Sequence, residues 1–347
     1  MEKSVLKVSV GIDMAKDTFY CAIIYLMFDQ ITKCKGTRKF SNTVKGFDEF
    51  MKWVDRKVKV DNTISYTMES TGVYYENLAC FLYHKDLTVN VVLPNKAKKF
   101  AESLDNKSKT DKLDALSLGR MGAVLILRSW NPGSKIYVKL KKYTRERETI
   151  QNDRTRLKNM IHAENHSAFG ESVCIKRFES RLKMLDRHLK AVDKDIRRLL
   201  NSDTEVQIKV NKIKTIPGIS TTTIAVVIAE TYGFAAFTNM KQVASFAGYD
   251  IVFKESGQYS GKTRISKKGN SHIRRALYMP TLSAIRYNET YNEFYNRLNE
   301  RKNNGLISGT AVQRKLICLM YTLWKNDTEF VPNYKKLKSC VSNVNAA

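Results

Sequence analysis

Residues 5–28 read VLKVSVGIDMAKDTFYCAIIYLMF, and this stretch decides the fold of the first part of the chain. It contains two apolar runs separated by a short segment from Ala15 to Asp17, which is typical of two strands joined by a tight turn. A third strand is predicted near Lys33 to Phe40. Three strands in succession predict the start of a sheet.

The sequence that follows alternates between helical and strand patterns. Apolar residues recur at helical spacing from Thr43 to Arg56. Further elements are predicted as a strand from Thr63 to Met68, a helix from Val73 to His84, a strand from Leu87 to Leu93, and helices from Lys96 and from Thr110 to Leu127. Three strands followed by this alternation predict an α/β domain, a mixed sheet covered by helices, over residues 1–130.

The pattern of the sequence changes after this domain, from alternating helices and strands to long helices. Two long, charge-rich helical stretches, from Lys135 to Ala168 and from Val173 to Leu200, are broken near Gly170. They predict an antiparallel helical hairpin, partly coiled-coil, over residues 131–210. Its role stays open between a solvated bridge, a dimerisation element and a grip on nucleic-acid phosphates. Residues 211–347 are predicted to form a third, mostly helical domain.

The charge balance is the first indication of function. The 347 residues include 60 Lys and Arg against 34 Asp and Glu, a formal net charge of +26. Such an excess is self-repulsive in a folded chain, and a polyanionic partner relieves it. We therefore expect nucleic acid as the partner. A membrane is not expected, because the longest apolar run, Tyr20 to Phe28, is too short to span a bilayer.

The six cysteines are scattered, without CxxC spacing or a neighbouring histidine pattern. This usage is typical of incidental thiols in a reducing compartment and argues against a zinc site. We expect a bacterial or archaeal cytoplasmic protein associated with the nucleoid.

Four carboxylates form the candidate catalytic set. Asp13 and Glu69 stand at the ends of predicted strands, and Asp111 and Asp114, three residues apart, share one face of a helix. Acids brought together in this way repel one another unless cations are bound. Two Mg²⁺ ions roughly 3.5–4 Å apart would suit phosphodiester cleavage or strand transfer. Each acid taken singly has an ordinary alternative as a turn or helix cap.

Several motifs together carry a family resemblance. They are GIDMAKD, MESTGVYYE, LPNKAKKFAESLDNKSKTDKLDA, IPGIS and ASFAGYDIVFKESGQYSGKTRISKKGNSHIRRALYMP. This combination resembles the DEDD insertion-sequence transposases, the bridge-RNA-guided recombinases of mobile elements. The resemblance implies a RuvC-like (RNase H fold) domain whose acids are Asp13, Glu69, Asp111 and Asp114. It also implies Mg²⁺, as two ions, which Mn²⁺ can replace.

The resemblance further implies a serine nucleophile in the C-terminal domain, and the matching residue is Ser256. Metal-bound carboxylates of another subunit would activate this serine, so a homo-oligomer, a dimer or a tetramer, is expected. Ser260 is the rival nucleophile. The implied partners are donor DNA, target DNA and a structured guide RNA.

Candidate nucleic-acid contacts accompany both sets of catalytic residues. Gly218 lies in a predicted helix–hairpin–helix turn, where backbone N–H groups can hold a phosphate. Basic residues crowd Ser256 and can hold a scissile phosphate. The complete set of candidates is Lys16, Thr71, Gly218, Lys254, Lys262, Arg264, Lys267, Lys268, Arg274 and Arg275.

The predicted function is that of a DNA transposase or recombinase of a mobile insertion sequence, acting through a phosphoserine intermediate. A covalent intermediate conserves the phosphodiester energy, in agreement with the lack of a GxxxxGK[ST] phosphate loop. One alternative is a metal-dependent junction-resolving or RNase-H-like nuclease that uses activated water. A second alternative is a nucleic-acid-binding protein without catalysis.

Overall fold

The structure is a computed structural model that describes residues 5–59, 62–104, 108, 110–253, 255–261 and 263–332. The chain divides into two compact units, Met1–Pro132 and Gly133–Ala347. The finer division into three domains, at residues 130 and 210, stays a prediction.

The first unit is built on a five-stranded sheet. Its strands are β1 (Val5–Met14), β2 (Thr18–Met27), β3 (Thr32–Ser41), β4 (Ile64–Glu69) and β5 (Thr88–Val92). They lie in the order β3-β2-β1-β4-β5. Strands β1, β2 and β3 pair antiparallel, whereas β4 is parallel to β1 and β5 is parallel to β4. This order and these directions are those of the RNase H fold, and they confirm the predicted mixed sheet.

Helices cover both faces of this sheet. They are α1 (Val44–Lys57), α2 (Glu76–Tyr83), α3 (Pro94–Glu102) and α4 (Asp111–Val124). Helices α1 and α2 pack on one face through an aromatic-rich core that includes Phe19, Phe40, Phe47, Phe50 and Trp53. Helix α4 lies on the other face and begins after Thr110, whose hydroxyl accepts a hydrogen bond from the Leu113 N–H at 3.3 Å. This cap fixes where α4 starts and thereby positions Asp111 in its first turn.

Helix α4 touches the sheet backbone, because small residues line the contact. A Cβ atom added to Gly11 of β1 would lie 2.0 Å from the Ala115 carbonyl oxygen and 2.1 Å from the Gly119 nitrogen. A Cβ on Gly122 would lie 2.1 Å from the Thr67 hydroxyl oxygen and 2.3 Å from that of Ser9. Only glycine permits this approach, so these positions determine how closely α4 lies against β1 and β4.

The second unit is mostly helical, as predicted. Its helices are α5 (Lys135–His166), α6 (Ser172–Asn201), α7 (Thr204–Lys214), α8 (Thr221–Thr231), α9 (Met240–Phe246), α10 (Ser271–Ala276), α11 (Tyr278–Tyr287), α12 (Glu289–Lys302) and α13 (Gly305–Asn326). Two short strand pairs join β6 (Ile251–Val252) to β9 (Arg264–Ile265) and β7 (Glu255–Ser256) to β8 (Tyr259–Ser260). Throughout the described ranges, every helix is too short or too polar to cross a bilayer.

Helices α5 and α6 form the predicted antiparallel hairpin. Arg147 pairs with Asp193 at 2.6 Å, and Arg154 pairs with Asp186 at 2.5 Å. A step of seven residues along α5 thus corresponds to seven residues backwards along α6. The base of the hairpin packs into the core of the unit through Leu140, Val192, Ile196 and Leu200.

A buried carboxylate connects this hairpin to the rest of the unit. Glu230 on α8 is 1% exposed and accepts two hydrogen bonds from Arg145 on α5, at 2.8 and 3.1 Å. Asn270 donates a third at 2.6 Å, and the Lys141 ammonium lies 3.7 Å away. Burial by itself would raise the pKa of Glu230, but these hydrogen bonds and the Lys141 charge together hold it below the usual value.

Glu230→Gln is expected to lower the free energy of unfolding by about 2 kcal/mol at pH 7. Breaking a buried ion pair costs about 3–5 kcal/mol, and the half-exposed Arg145 regains water, which reduces the cost. A carboxylate with a depressed pKa stabilises the fold above its unfolded pKa of about 4.3, and this contribution disappears as the pH falls through the folded pKa.

Urea denaturation at pH 7 and at pH 3 measures this difference. Glu205→Gln is the matched control, since the Glu205 side chain is 78% exposed and its ion pair with Lys209 lies on the surface. A Glu230→Gln deficit that is the same at both pH values would contradict the assignment.

Candidate active site

Asp13 and Glu69 stand side by side on the sheet. Strands β1 and β4 are parallel, and their last paired residues are Ile12 and Met68. The next residue on each strand is Asp13 and Glu69, respectively, and both side chains are partly exposed. Because side chains alternate along a strand, Asp13 is on the same face as Gly11 and Glu69 on the same face as Thr67. Both acids therefore lie on the face that α4 covers.

The direction of α4 brings the other two acids to the same end of the sheet. Gly11 contacts the Ala115–Gly119 turn of α4, whereas Ser9, two residues earlier on β1, lies against Gly122. Helix α4 thus runs antiparallel to β1, and its first turn points toward the strand end that carries Asp13. That first turn contains Asp111 and Asp114. We call the four residues Asp13, Glu69, Asp111 and Asp114 the acidic corner.

The acidic corner has the donor chemistry of a site for hard divalent cations. Its ligands would all be carboxylate oxygens, which Mg²⁺ and Mn²⁺ prefer. In the described part of the chain, no three His, Cys, Asp or Glu side chains converge closely enough to hold a metal ion. The four acids therefore share one edge of the sheet by the placement of their backbone elements.

The loops beside the acidic corner are tied to one another by Asn42. Its side-chain amide donates to the carbonyl oxygens of Ala15 at 3.1 Å, Lys16 at 3.3 Å and Tyr74 at 3.2 Å. The first two carbonyls belong to the turn after Asp13, and the third belongs to the loop after Glu69. Asn42 thereby couples the two loops that continue from the strand ends carrying Asp13 and Glu69.

The predicted contacts Lys16 and Thr71 lie in these two loops, and both are exposed. The Thr71 hydroxyl donates to Glu69 Oε1 at 2.5 Å. Thr71 is thus a direct neighbour of a candidate metal ligand, and it orients that carboxylate. Phosphate contacts by Lys16 and Thr71 stay predictions.

Ser256 lies in the second unit on a two-stranded hairpin. It pairs with Tyr259 across the turn, and Gly257 within the turn adopts a left-handed φ of +55°. Ser256, Gly257 and Tyr259 are all exposed, and among the described residues other than its chain neighbours nothing lies within 4 Å of a Cβ built on Gly257. A hydroxyl presented in this way is open to a large substrate such as a DNA backbone.

The basic residues predicted around Ser256 divide into exposed and anchored groups. Arg264, Lys267 and Lys268 are exposed. Arg274 instead donates to the Ala247 carbonyl at 2.8 Å, and Arg275 pairs with Glu148 at 2.8 Å. Lys254, Lys262 and the side chain of Ser260 lie outside the described residues.

Glu148 also holds the one histidine of this basic segment. His272 Nδ1 is hydrogen-bonded to a Glu148 carboxylate oxygen, and Arg275 reaches the other oxygen. All three residues line a cavity of about 500 Å³ beside the start of α8. Arg275 is therefore only partly available to a phosphate, although its side chain is 57% exposed.

Gly218 lies in the predicted turn between α7 and α8. Its φ is +82°, and a Cβ there would lie 2.6 Å from Ser283 Cβ on α11. The Ser220 hydroxyl caps α8 by accepting from the Thr223 N–H at 3.1 Å. Glycine is thus required for packing at this turn, and a phosphate contact by its backbone stays a prediction.

Two family profiles match the sequence of this chain. A DEDD transposase profile of the IS110 type matches residues 10–164, and the profile described as "Transposase IS116/IS110/IS902 family" matches residues 210–296. The chain belongs to the IS110 family of transposases. The first match contains the acidic corner, and the second contains Ser256. The predictions of the family and of a DNA transposase or recombinase are therefore confirmed.

Two curated relatives of this IS110-family chain share one name. This chain is 27% identical over 328 residues to the "Pilin gene-inverting protein" of Moraxella lacunata, and it has the same identity to that of Moraxella bovis. Each alignment covers 93% of this chain and 98% of the relative. The similarity therefore spans both units.

Solved structures show only a distant likeness. RuvC from Thermus thermophilus aligns with 9% identity and a TM-score of 0.28, over 35% of this chain and 99% of RuvC. The same protein in complex with a Holliday junction aligns with a TM-score of 0.27, over 33% of this chain and 92% of that one. The fold assignment therefore rests on strand order and direction.

Two sets of residues that shape this site give little signal in the sequence. Asn42 is inconspicuous, because an asparagine after a strand is commonly a turn residue. The glycines Gly119 and Gly122 are the second set. Their spacing of three residues inside a helix was the available signal, since glycine is unfavourable there unless something must come close.

Proposed function

We propose that this transposase cuts and rejoins DNA through a covalent link between Ser256 and a DNA phosphate, with the acidic corner as its metal-binding centre. The grouping of Asp13, Glu69 and the first turn of α4 at one edge of one sheet supports the metal-binding part most directly. The exposed position of Ser256 on a hairpin supports the nucleophile part.

The serine step is an exchange of esters. Ser256 Oγ attacks the phosphorus of a DNA phosphodiester, the Oγ–P bond forms, and one of the two P–O bonds to deoxyribose breaks. The hydroxyl proton of Ser256 leaves to solvent, and the departing deoxyribose oxygen takes up a proton. Attack by a deoxyribose hydroxyl of the second DNA reverses these changes and reseals the strand. The bond count is unchanged, so no ATP is required.

The residues around both centres assist in distinct ways. Arg264, Lys267 and Lys268 would neutralise the phosphate and its developing charge. Divalent cations bound at the acidic corner would supply Lewis-acid stabilisation of charge on the reacting oxygens. Thr71 and Asn42 would hold Glu69 and the loop after Asp13 in place for those cations.

The proposal also includes the assembly that the resemblance implies. Two or four copies of the chain would act together, with the acidic corner of one copy serving Ser256 of another. A structured guide RNA would choose the DNA sites by base pairing while the protein grips backbones, a division known in other RNA-guided systems. The net charge of +26 supports binding of either nucleic acid.

Trapping the covalent adduct tests the serine step. The protein is expressed with its complete native element, the reaction is stopped with denaturant, and DNA-linked peptides are identified by mass spectrometry. We expect an adduct on Ser256 that is lost in Ser256→Ala and retained in Ser260→Ala.

Two other results of the trapping experiment would contradict Ser256 as the nucleophile. Metal-dependent nicking that survives Ser256→Ala would replace this proposal with the hydrolytic nuclease. An adduct that survives Ser256→Ala and disappears in Ser260→Ala would move the nucleophile to Ser260.

A further inference from the structure

Helices α10 and α11 form a nearly continuous helix with an unusual exposed face. Leu277, between them, has right-handed helical angles, φ −86° and ψ −8°. At 3.6 residues per turn, a set of five positions falls within an arc of about 100°. We call this set the α11 stripe: Arg275, Tyr278, Met279, Leu282 and Arg286. The opposite side of the helix carries Ile273, Leu277, Pro280, Thr281 and Ala284, all buried.

The α11 stripe is apolar and aromatic in its centre, with an exposed arginine, Arg286, at one end and, at the other, Arg275, which is paired with Glu148. Tyr278 is 49% exposed, Met279 66% and Leu282 46%. Arg286 at one end is exposed and lies over the Tyr287 ring, 5.3 Å from its centre. Arg275 lies at the other end. Adjacent exposed apolar side chains of this size commonly mark a binding surface.

The charge of the sequence that contains the stripe indicates the class of partner. From Ser256 to Asn288 the sequence contains seven Lys and Arg and no Asp or Glu, while Glu289 follows directly and Glu148 pairs with Arg275. A symmetric contact between two copies would bring this basic segment toward its own copy, which is unfavourable. A polyanion is attracted to it. Among polyanions, nucleic acid also offers flat apolar groups that can cover tyrosine, methionine and leucine.

An unpaired strand fits these groups better than a duplex. Exposed bases stack on aromatic side chains, and neighbouring phosphates bind cations, which is how proteins hold single strands. In a duplex the base faces are already stacked, so the centre of the stripe would stay uncovered. The stripe is about 16 Å long at 1.5 Å per residue, the length of roughly four or five stacked nucleotides.

We propose that the α11 stripe binds an unpaired DNA strand, with Tyr278 and Leu282 against bases and Arg286 against a phosphate. DNA is chosen over RNA because the matched family is one of transposases, which act on DNA. The proposal is independent of whether Ser256 is the nucleophile, because it concerns binding alone.

Fluorescence anisotropy with the full-length protein tests the stripe. The probes are a labelled 20-nucleotide oligothymidylate, the matching oligouridylate, and a 20-base-pair DNA duplex. Tyr278→Ser and Leu282→Ser are each expected to weaken binding of oligothymidylate about tenfold, and to change duplex binding less than about twofold. Leu306→Ser is the matched control, because Leu306 is a leucine that is 73% exposed on α13. It should leave all three affinities unchanged.

The salt dependence separates the two kinds of contact. Arg286→Gln should reduce the slope of log affinity against log salt by about 0.7, the value for one phosphate of a single strand. Tyr278→Ser should leave that slope unchanged, since it removes stacking and no charge. Photocrosslinking of a 5-iododeoxyuridine strand to Tyr278 in the unaltered protein gives a second measurement that does not depend on variants folding.

Three results would overturn the proposal. Unchanged oligothymidylate binding in the Tyr278→Ser, Leu282→Ser double variant would show that the α11 stripe does not bind an unpaired DNA strand. Oligouridylate binding at least tenfold tighter than oligothymidylate, and equally sensitive to Tyr278→Ser, would reassign the stripe to RNA. A fall in sedimenting mass of the free double variant would make the stripe a contact between copies.

Discussion

Asp13→Asn is expected to lower the rate of strand transfer by at least about 10³-fold while the chain remains folded. Loss of one carboxylate ligand removes several kcal/mol of charge stabilisation, and each 1.36 kcal/mol is a tenfold change in rate. The fold should tolerate the change, because Asp13 is partly exposed and asparagine has nearly the same shape. Recombination between native element ends measures the rate, and Mn²⁺ binding followed by electron paramagnetic resonance measures the site directly.

Asp17→Asn is the control for Asp13→Asn. Asp17 is an exposed acid four residues after Asp13, in the turn between β1 and β2. The Asp17→Asn substitution changes the net charge by the same amount as Asp13→Asn. It should leave both Mn²⁺ binding and strand transfer within about twofold of the unaltered protein, since surface charges are largely screened by salt. Full strand transfer by Asp13→Asn would remove the acidic corner from the mechanism. Loss of transfer with unchanged Mn²⁺ binding would assign Asp13 a role other than metal binding.

Gly11→Ala is expected to destabilise the first unit by more than about 4 kcal/mol. The added methyl group would meet the Ala115 carbonyl oxygen at 2.0 Å and the Gly119 nitrogen at 2.1 Å. These are backbone atoms of α4, so a change of side-chain rotamer gives no relief, and the whole helix must move. The same displacement would separate Asp111 and Asp114 from Asp13, so Mn²⁺ binding should be lost as well.

Urea denaturation followed by circular dichroism measures the effect of Gly11→Ala. Gly36→Ala on β3 is the control, because the nearest atom to its new Cβ would be Trp53 Cζ2 at 3.4 Å, an ordinary contact. Alanine there should alter stability by no more than about 1 kcal/mol. Gly11→Ala with the stability of Gly36→Ala would mean that α4 does not lie against β1 as described.

The sequence predicted the sheet well because its strands are strongly patterned. Residues 5–28 gave two strands and their turn, and β1 and β2 occur there. Further along, strands alternate with helices at lengths that suit a mixed sheet, and β4 and β5 occur within about a residue of the predicted ranges. Ser256 was less accessible to such reasoning. A serine beside glycine is ordinarily a turn residue, and only the resemblance to DEDD transposases singled it out.

The sequence alone determined the classes of residue and the elements that carry them. Apolar periodicity fixed helices and strands, the excess of 26 positive charges indicated nucleic acid, and the motifs around Asp13, Glu69, Asp111 and Asp114 indicated the family. The tertiary structure decided which residues are neighbours. Sequence spacing does not reveal that Asn42 binds the loops after two different strands, or that Gly11 lies against α4. Such contacts join residues far apart in the chain, and the packing of the whole unit brings them together.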